Sequence, residues 1–498
     1  MGQLTTKNPS FTQDNTTMRT ESDFIGDIDI PENALYGIHS KRAQNNFPDQ
    51  TNFHLAWYKA IGLTKLACYQ AYKKFLDAVD YKYPDTDIPL KFIDRKVVDH
   101  IIDAATEIAE GNHFEHFIVP AVCGGAGTSI NMNVNEIIAN AALCKMNRKP
   151  GDYQIIDPIE HANVYQSTND VIPTSLKVAV TQLLDNLEES INNLRESIEH
   201  LETVHRNDVK IGYTQMQEAV PTSFGNLFSN YSEALSRDWW RVSKAFERIK
   251  VVNLGGSALG TGITVPQYFI MEVTHELRKL TGHPFTRSEN MTDATSNLDV
   301  LVEVHAILKA HAVNLEKTAA DIRLIGSDVA GSPDIEIPAV QAGSSIMPGK
   351  VNPVISEFAV SAAHKVYTND QLISNLAGQG CLDLNAYIPT IGHAMIESLE
   401  LLIAADQTLK QNLFDKLQVN NKTAEDKLYK SPAVTTALIP FIGYHAATEI
   451  AQYMKQHQVD IFNANEELQL IDQTQLKKIV TPENLIKKGF TIGDITRS

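Results

Sequence analysis

The sequence predicts an all-α protein with a long central helical bundle, and three observations carry that expectation. Leu187, Ile191, Leu194, Ile198 and Leu201 recur at alternating spacings of four and three, which lays an apolar stripe along one face of a helix. Leu301, Leu308, Leu315 and Ile322 repeat every seven residues, with Val304 at an intermediate position and Glu303, Lys309 and Glu316 between them, the pattern of a bundle seam. Alternating β-branched segments are too sparse for a large sheet, and no internal repeat or low-complexity tract interrupts the chain.

Three domains are expected along the chain. Residues 1–164 mix short helical segments with Gly-, Pro- and Asn-rich loops, such as Tyr81 to Pro89 and Pro120 to Asn135, and are expected to form an N-terminal, mainly helical domain. Residues 165–421 contain both seams and form the central bundle domain. Helices of roughly 25 to 30 residues project about 40 Å, long for one globular subunit, so the bundle faces predict association between chains. Pro432 and Pro440 punctuate the remainder of the chain, and the polar, Lys-containing end from Gln473 to Ser498 completes a small C-terminal helical domain, 422–498.

Composition narrows the function. The 498 residues are 43% hydrophobic and 21% charged, ordinary globular values that exclude a disordered or fibrous chain. With 43 Lys and Arg against 60 Asp and Glu the net charge is −17. No basic patch is concentrated anywhere, so neither nucleic acid nor an anionic membrane is expected as a partner. An anionic substrate must therefore be drawn in by donors local to its site. Cys68, Cys123, Cys144 and Cys381 lie far apart with no CxxC pair, which predicts neither a disulfide framework nor a zinc site and fits a reducing cytoplasm. The residues through Thr17 are polar and lack a signal-peptide core, and no run of about 18 apolar residues predicts a membrane span. Met1 to Thr6 matches an N-myristoylation pattern formally, but so short a pattern arises readily by chance.

The densest chemistry lies between Gln341 and Pro353, where glycines, two hydroxyls, a cation and an amide share thirteen residues. Gly343 and Gly349 permit close approach of backbone to a ligand, while Lys350 and Asn352 offer a charged and a neutral donor to a carboxylate. An isolated Gly-Ser-Ser is usually a solvated turn; the whole string reads as an anion cradle. Gly124 to Gly127 is followed by no Gly-Lys-Ser/Thr, and Gly255 to Gly262 lacks a strand-turn-helix context, so neither predicts a nucleotide site. Ser167, Thr168 and Asn169 are helix N-cap residue types, and a helix start with free N–H groups also favours anions. His113, Glu115 and His116 fall short of a metal ligand set, and no metal is expected.

Gly343 to Pro353 resembles the signature loop of the aspartase/fumarase superfamily. Gly124 to Asn133 resembles that family's first substrate segment. Gln166 to Asp170, with Pro173 and Thr174, resembles the second, and Thr214 to Pro221 the third; in all, the similarity runs over roughly residues 20 to 450. The resemblance implies a three-domain all-α fold and a cytoplasmic homotetramer whose sites draw segments from three subunits. It implies elimination of ammonia or water from a succinate skeleton to give fumarate, with a small dicarboxylate or amino-acid substrate. No cofactor is required, and divalent-cation activation stays open. Ser344 is implied as the catalytic base, and Thr128, Ser129, Ser167, Thr168, Asn169, Thr214, Gln215, Lys350 and Asn352 as substrate-binding residues.

The chemistry such residues must perform is demanding. The proton to be removed lies next to a carboxylate, so the intermediate is an aci-carboxylate, and donors placed where that charge develops lower the barrier. A serine is too weak an acid to serve as base unless loop N–H groups and a nearby cation stabilise its alkoxide. Within the family, fumarases typically carry His where this chain has Gln215. Gly124-Gly125-Ala126, Val340-Gln341-Ala342 and Phe441-Ile442-Gly443 look more like the aspartases, so the ammonia-eliminating branch is expected and the fumarase branch is the alternative. The chain also departs from the family. Arginines usual in the stretch aligned with Ser327 to Gly331, near Gly26, and before Thr214 are replaced here by Asp328-Val329-Ala330, Asp27-Ile28-Asp29 and Tyr213. A lost guanidinium is not a conservative change, which leaves a related amino-acid substrate open.

Overall fold

Both seams become long helices because burying an apolar stripe offsets the entropy of ordering the chain. The first lies in Thr168–Val204, where Leu187, Ile191, Leu194 and Ile198 are fully buried; the second lies in Asp299–Ile325, where Leu301, Val304, Leu308, Leu315 and Ile322 are. Leu55–Lys82, Phe224–Ile249, Val354–Ala377 and Ile388–Asn412 are the other long helices. This computed structural model describes residues 17–329 and 331–496, so the amino-terminal Met1 to Thr6 pattern lies outside the described residues. The all-α expectation holds, with one addition. Short two-stranded pieces punctuate the helices: the hairpins Met18–Asp23 with Gly26–Pro31 and Val209–Thr214 with Gln217–Ser223, and the pairs Val251–Val252 with Thr286–Arg287 and Ile335–Glu336 with Gln418–Val419.

The chain divides into two compact units. The first takes the described part of Met1–Leu183 together with Phe246–Val304 and Gln371–Glu397. Its core is built on Leu55–Lys82, which packs against both Arg95–Glu110 and Gln267–Thr281. Gly62 allows the first of these crossings, since a Cβ there would stand 2.5 Å from the Ala109 nitrogen. Trp57, Tyr58, Tyr69 and Tyr72 fill the interior, and the Trp57 indole N–H donates to the Ser175 hydroxyl at 3.0 Å, the partner a buried indole needs.

The second unit takes Leu184–Ala245, His305–Asp370 and the described part of Ser398–Ser498. Its leucine-rich interior contains a charged network. His311 bridges Asp238 (Nδ1 to Oδ2, 3.0 Å) and Asp406 (Nε2 to Oδ1, 3.1 Å), all three fully buried. Arg241 and Asn314 donate to Asp238, and Ser190 donates to Asp406. Burial alone would push the imidazole down, but the two carboxylates outweigh it and raise His311 to about 10. A second apolar cluster joins Val209 and Ile211 of the hairpin to Leu428, Leu438, Ile450 and Met454. Among the described residues one stretch, Ile388–Lys416, is long and apolar enough to cross a membrane; 61% of its apolar window is buried, and Met395, Leu399 and Leu402 are core residues.

Candidate functional site

In the first unit, glycine brings two helix starts together. Gly125, Ala126 and Gly127 all have positive φ (+84°, +56° and +89°), turning the chain sharply into the helix Thr128–Lys145. A Cβ on Gly127 would lie 2.9 Å from Ile172 Cγ2, in the second turn of Thr168–Val204, so any larger residue would force the starts apart. The second start is capped reciprocally: the Ser167 hydroxyl accepts from the Asn169 N–H at 3.2 Å, and Asp170 Oδ1 accepts from the Ser167 N–H at 2.9 Å. Pro173 lacks the N–H that would bond the Asn169 carbonyl, and Asn253 Nδ2 donates to that oxygen instead, at 2.9 Å. Thr128 is exposed, and Ser129, Ser167, Thr168 and Asn169 are half-buried. Two adjacent helix N-termini edged with hydroxyls and an amide form a surface suited to an anion.

The Gly255–Gly262 loop is tied to the same place. Asp170 Oδ2 accepts from the Gly255 and Ser257 N–H groups at 3.2 and 3.0 Å, and Asn169 Nδ2 donates to the Ala258 carbonyl at 2.8 Å. Burial pushes the Asp170 carboxyl up to about 7, against the pull of these three N–H groups and of Lys65.

In the second unit, Thr214 and Gln215 stand exposed at the tip of the Val209–Thr214 and Gln217–Ser223 hairpin. Gln215 and Met216 form its two-residue turn with φ of +52° and +61°. Such turns favour Asn-Gly; two larger side chains there store backbone strain. The loop beyond residue 338 is closed by a clasp: the Gly343 N–H donates to the Lys350 carbonyl and Asn352 Nδ2 donates to the Gly343 carbonyl, each at 2.8 Å. Inside it, the Ser344 hydroxyl oxygen accepts the Ile346 and Met347 N–H groups at 3.1 and 2.9 Å. Ser344 and Lys350 line a cavity of about 560 Å³ shaped by the loop from Ala339 to Val351.

Thr128, Ser129, Ser167, Thr168 and Asn169 thus come together in the first unit, while Thr214, Gln215, Ser344, Lys350 and Asn352 belong to the second, on two separate segments. Sequence reasoning singled out neither Asp170 nor Asn253. The only signals were the Ser-x-x-Asp spacing and Pro173. Among the described residues one group has metal-like spacing, Glu272, His275 and Glu276; Lys74 already bridges both carboxylates at 2.5 Å, and Lys279 donates to Glu276. His113 pairs with Glu107 at 2.9 Å. At the positions where the family's arginines are absent, Asp27 and Asp29 accept from Ser22 and Thr20 across the first hairpin, and Asp328 lies in an exposed turn.

A lyase family profile matches residues 26–368, and a fumarase C C-terminus profile matches 434–487. An aspartate ammonia-lyase from a Bacillus species is 34% identical over 96% of this chain and 99% of its own. One from Helicobacter pylori is 35% identical over 94% of this chain and 98% of its own. Among solved structures, a fumarate lyase:delta crystallin from Brucella melitensis bound to cobalt has a TM-score of 0.87 at 32% identity, covering 95% of this chain and all of that one. A class II fumarase from Schistosoma mansoni has a TM-score of 0.83 at 26% identity, covering 94% of this chain and 98% of that one.

Proposed function

We propose that this chain, which belongs to the aspartase/fumarase superfamily and is a carbon–nitrogen lyase, reversibly converts L-aspartate to fumarate and ammonia in the cytoplasm. The observation that carries this reading is the Ser344 hydroxyl, which accepts two N–H groups of its own loop within reach of the Lys350 segment. Those donors lower the cost of an alkoxide, the form in which Ser344 takes the C3 proton of the substrate. The electron pair moves onto the adjacent carboxylate as an aci-carboxylate. Its collapse forms the carbon–carbon double bond and breaks the bond to the substrate's protonated ammonium group, which leaves as ammonia.

The remaining residues have electrostatic work. Thr128, Ser129, Ser167, Thr168 and Asn169, with the N–H groups of their two helix starts, receive carboxylate oxygens where charge accumulates. Thr214, Lys350 and Asn352 supply further donors, and neutral Gln215 hydrogen-bonds without acting as an acid or base. The site is completed in a homotetramer, each centre taking segments from three subunits. No cofactor takes part.

A second reading concerns the substrate. The alternatives are a water-eliminating fumarase and, because this chain has no arginine at three places where the family commonly has one (near Gly26, before Thr214 and in the Ser327 to Gly331 stretch), a lyase for a related amino acid with a different anion-binding demand. Appearance of fumarate absorbance from L-aspartate and from L-malate, measured in parallel on the purified protein, separates them. Aspartate-only turnover is expected, malate-only turnover means a fumarase, and silence with both points to another amino acid. Ser344→Ala should lower turnover about a hundredfold to ten-thousandfold with an unchanged melting temperature; residual activity near wild type removes Ser344 from the role.

A further inference from the structure

Beneath the Ser167–Asn169 helix start lie a buried carboxyl group and a buried lysine amine that the proposed chemistry does not use. Asp170 is 1% exposed and Lys65 is 0% exposed. An ordinary N-terminal cap satisfies one or two N–H groups of its own helix. Asp170 accepts three, drawn from two segments: Ser167 of its own turn, and Gly255 and Ser257 of the neighbouring loop. Lys65, on the helix Leu55–Lys82, donates to Gln166 Oε1 at 3.0 Å, one residue before Ser167. Cys68 and Tyr69 of the same helix also face this pocket. Burial raises the Cys68 thiol, and the Tyr69 hydroxyl donates to the Ala162 carbonyl. Gly255 and Ser257 contribute only main-chain N–H groups to Asp170.

Stability alone is a weak reason to keep such charges, because well-packed apolar residues of similar volume often serve as well or better. What the charges do supply is a fixed distance between two backbone segments. We propose that Asp170 and Lys65 are positioning residues for the substrate carboxylate, locking Ser167–Asn169 against the Gly255–Ala258 loop so that the donors of that helix start converge on one anion. This rests on substrate binding at Ser167–Asn169 in the proposed reaction, and neither residue touches the substrate.

The sign of the pH response is set by the burial. Burial holds the Asp170 carboxyl up near 7 and pulls Lys65 down to about 7; on the acid side, where Lys65 is charged, that charge lowers Asp170. Removing that cation raises it further, so the ionised clamp disappears at a higher pH than in the wild type.

The test compares the full-length assembled enzyme with Asp170→Asn and Lys65→Met, reading the melting temperature, KM and kcat for L-aspartate, and the dissociation constant of succinate by calorimetry. Asp170→Asn keeps the volume but turns an amide N–H towards main-chain donors. KM and the succinate constant should rise about tenfold to hundredfold, with kcat falling less. Lys65→Met should move the acid limb of kcat/KM to higher pH, a change that loss of packing would not produce. A succinate constant within about twofold of wild type in a folded Asp170→Asn, or an unmoved acid limb in Lys65→Met, overturns the proposal; if Asp170→Asn does not fold, the Lys65→Met limb decides alone. If wild type binds succinate but leaves L-aspartate unchanged, the proposed reaction fails while the succinate comparison still decides the positioning role. A wild type that neither binds succinate nor turns over L-aspartate overturns both.

Discussion

Gly343→Ala is the sharpest probe of the Ser344 loop, because its effect comes from space rather than from backbone dihedral. Gly343 does not have positive φ, yet a Cβ there would lie 2.8 Å from the Lys350 carbonyl oxygen and 2.9 Å from the Asn352 nitrogen. Both are main-chain atoms and cannot swing aside as the end of a side chain would. The clasp must open, and with it go the Gly343 N–H bond to Lys350 and the Asn352 amide bond to the Gly343 carbonyl. At about 1 kcal/mol each, plus residual overlap, the closed loop loses about 2–3 kcal/mol. If the closed loop is the active one, turnover falls about thirtyfold to hundredfold. Gly349→Ala is the internal comparison. Its φ is +77°, but nothing lies within 4 Å of the added methyl, so it costs about 1 kcal/mol of dihedral strain and about fivefold in rate. Initial rates of fumarate formation under saturating substrate measure both. Gly343→Ala within about threefold of wild type, or Gly349→Ala as the more damaged variant, would refute the claim that the clasp holds the catalytic geometry.

Other consequences are as direct. His311→Leu leaves Asp406 buried without its cation, while Asp238 keeps Arg241, and should cost about 3–5 kcal/mol in urea unfolding at pH 7. Because the folded His311 titrates near 10 and the unfolded one near 6.5, its stabilisation is fully present below 6.5 and is lost as pH rises through 10. The gap between wild type and variant should therefore narrow from pH 8 to 10, and a constant gap speaks against a charged imidazole. Ser167→Ala removes the acceptor for the Asn169 N–H and should cost about 1 kcal/mol of stability together with a raised KM; an unchanged KM separates the cap from the substrate. Size-exclusion chromatography across a dilution series should show activity lost with the tetramer, and an active monomer contradicts sites shared between subunits.

The helices were legible because a stripe such as Leu187 to Leu201 records its own burial in its spacing. The 209–223 hairpin was not. Its turn is Gln215-Met216 rather than Asn-Gly, so the strongest short-range hairpin signal is missing. Nor was the His311 network, since Asp238 and Asp406 sit in helices where a carboxylate ordinarily marks the solvent face, and only the partner on another helix reverses that reading. At the candidate site, Ser344, Lys350 and Asn352 stood out by chemical density within one loop. Asp170 did not, because after Ser-Thr-Asn a carboxylate reads as an ordinary cap and its two partners in the Gly255 loop are far away in sequence.

The distribution of backbone strain separates the candidate segments that are fixed within their own unit from the one that is free. Ala126, Ser257, Gln215 and Met216 all hold positive φ without being glycine, at about 1–3 kcal/mol each, and such residues persist only where their surroundings over-determine them. Ala126 is enclosed by Gly125 and Gly127 and buried, and Ser257 is held through its N–H by Asp170. The Gln215-Met216 turn is anchored through Glu218, which accepts from the Ser431 hydroxyl at 2.6 Å. The loop from Ala339 to Asn352 has no such residue; its one positive φ falls on Gly349, where glycine bears it at little cost. Opening this loop breaks a two-bond clasp without releasing strain built into the fold, while the segments carrying the other donors are locked. In the proposed reaction, fixed anion donors and a base carried on a segment that opens cheaply would be the division of labour that proton abstraction within a water-excluding site requires.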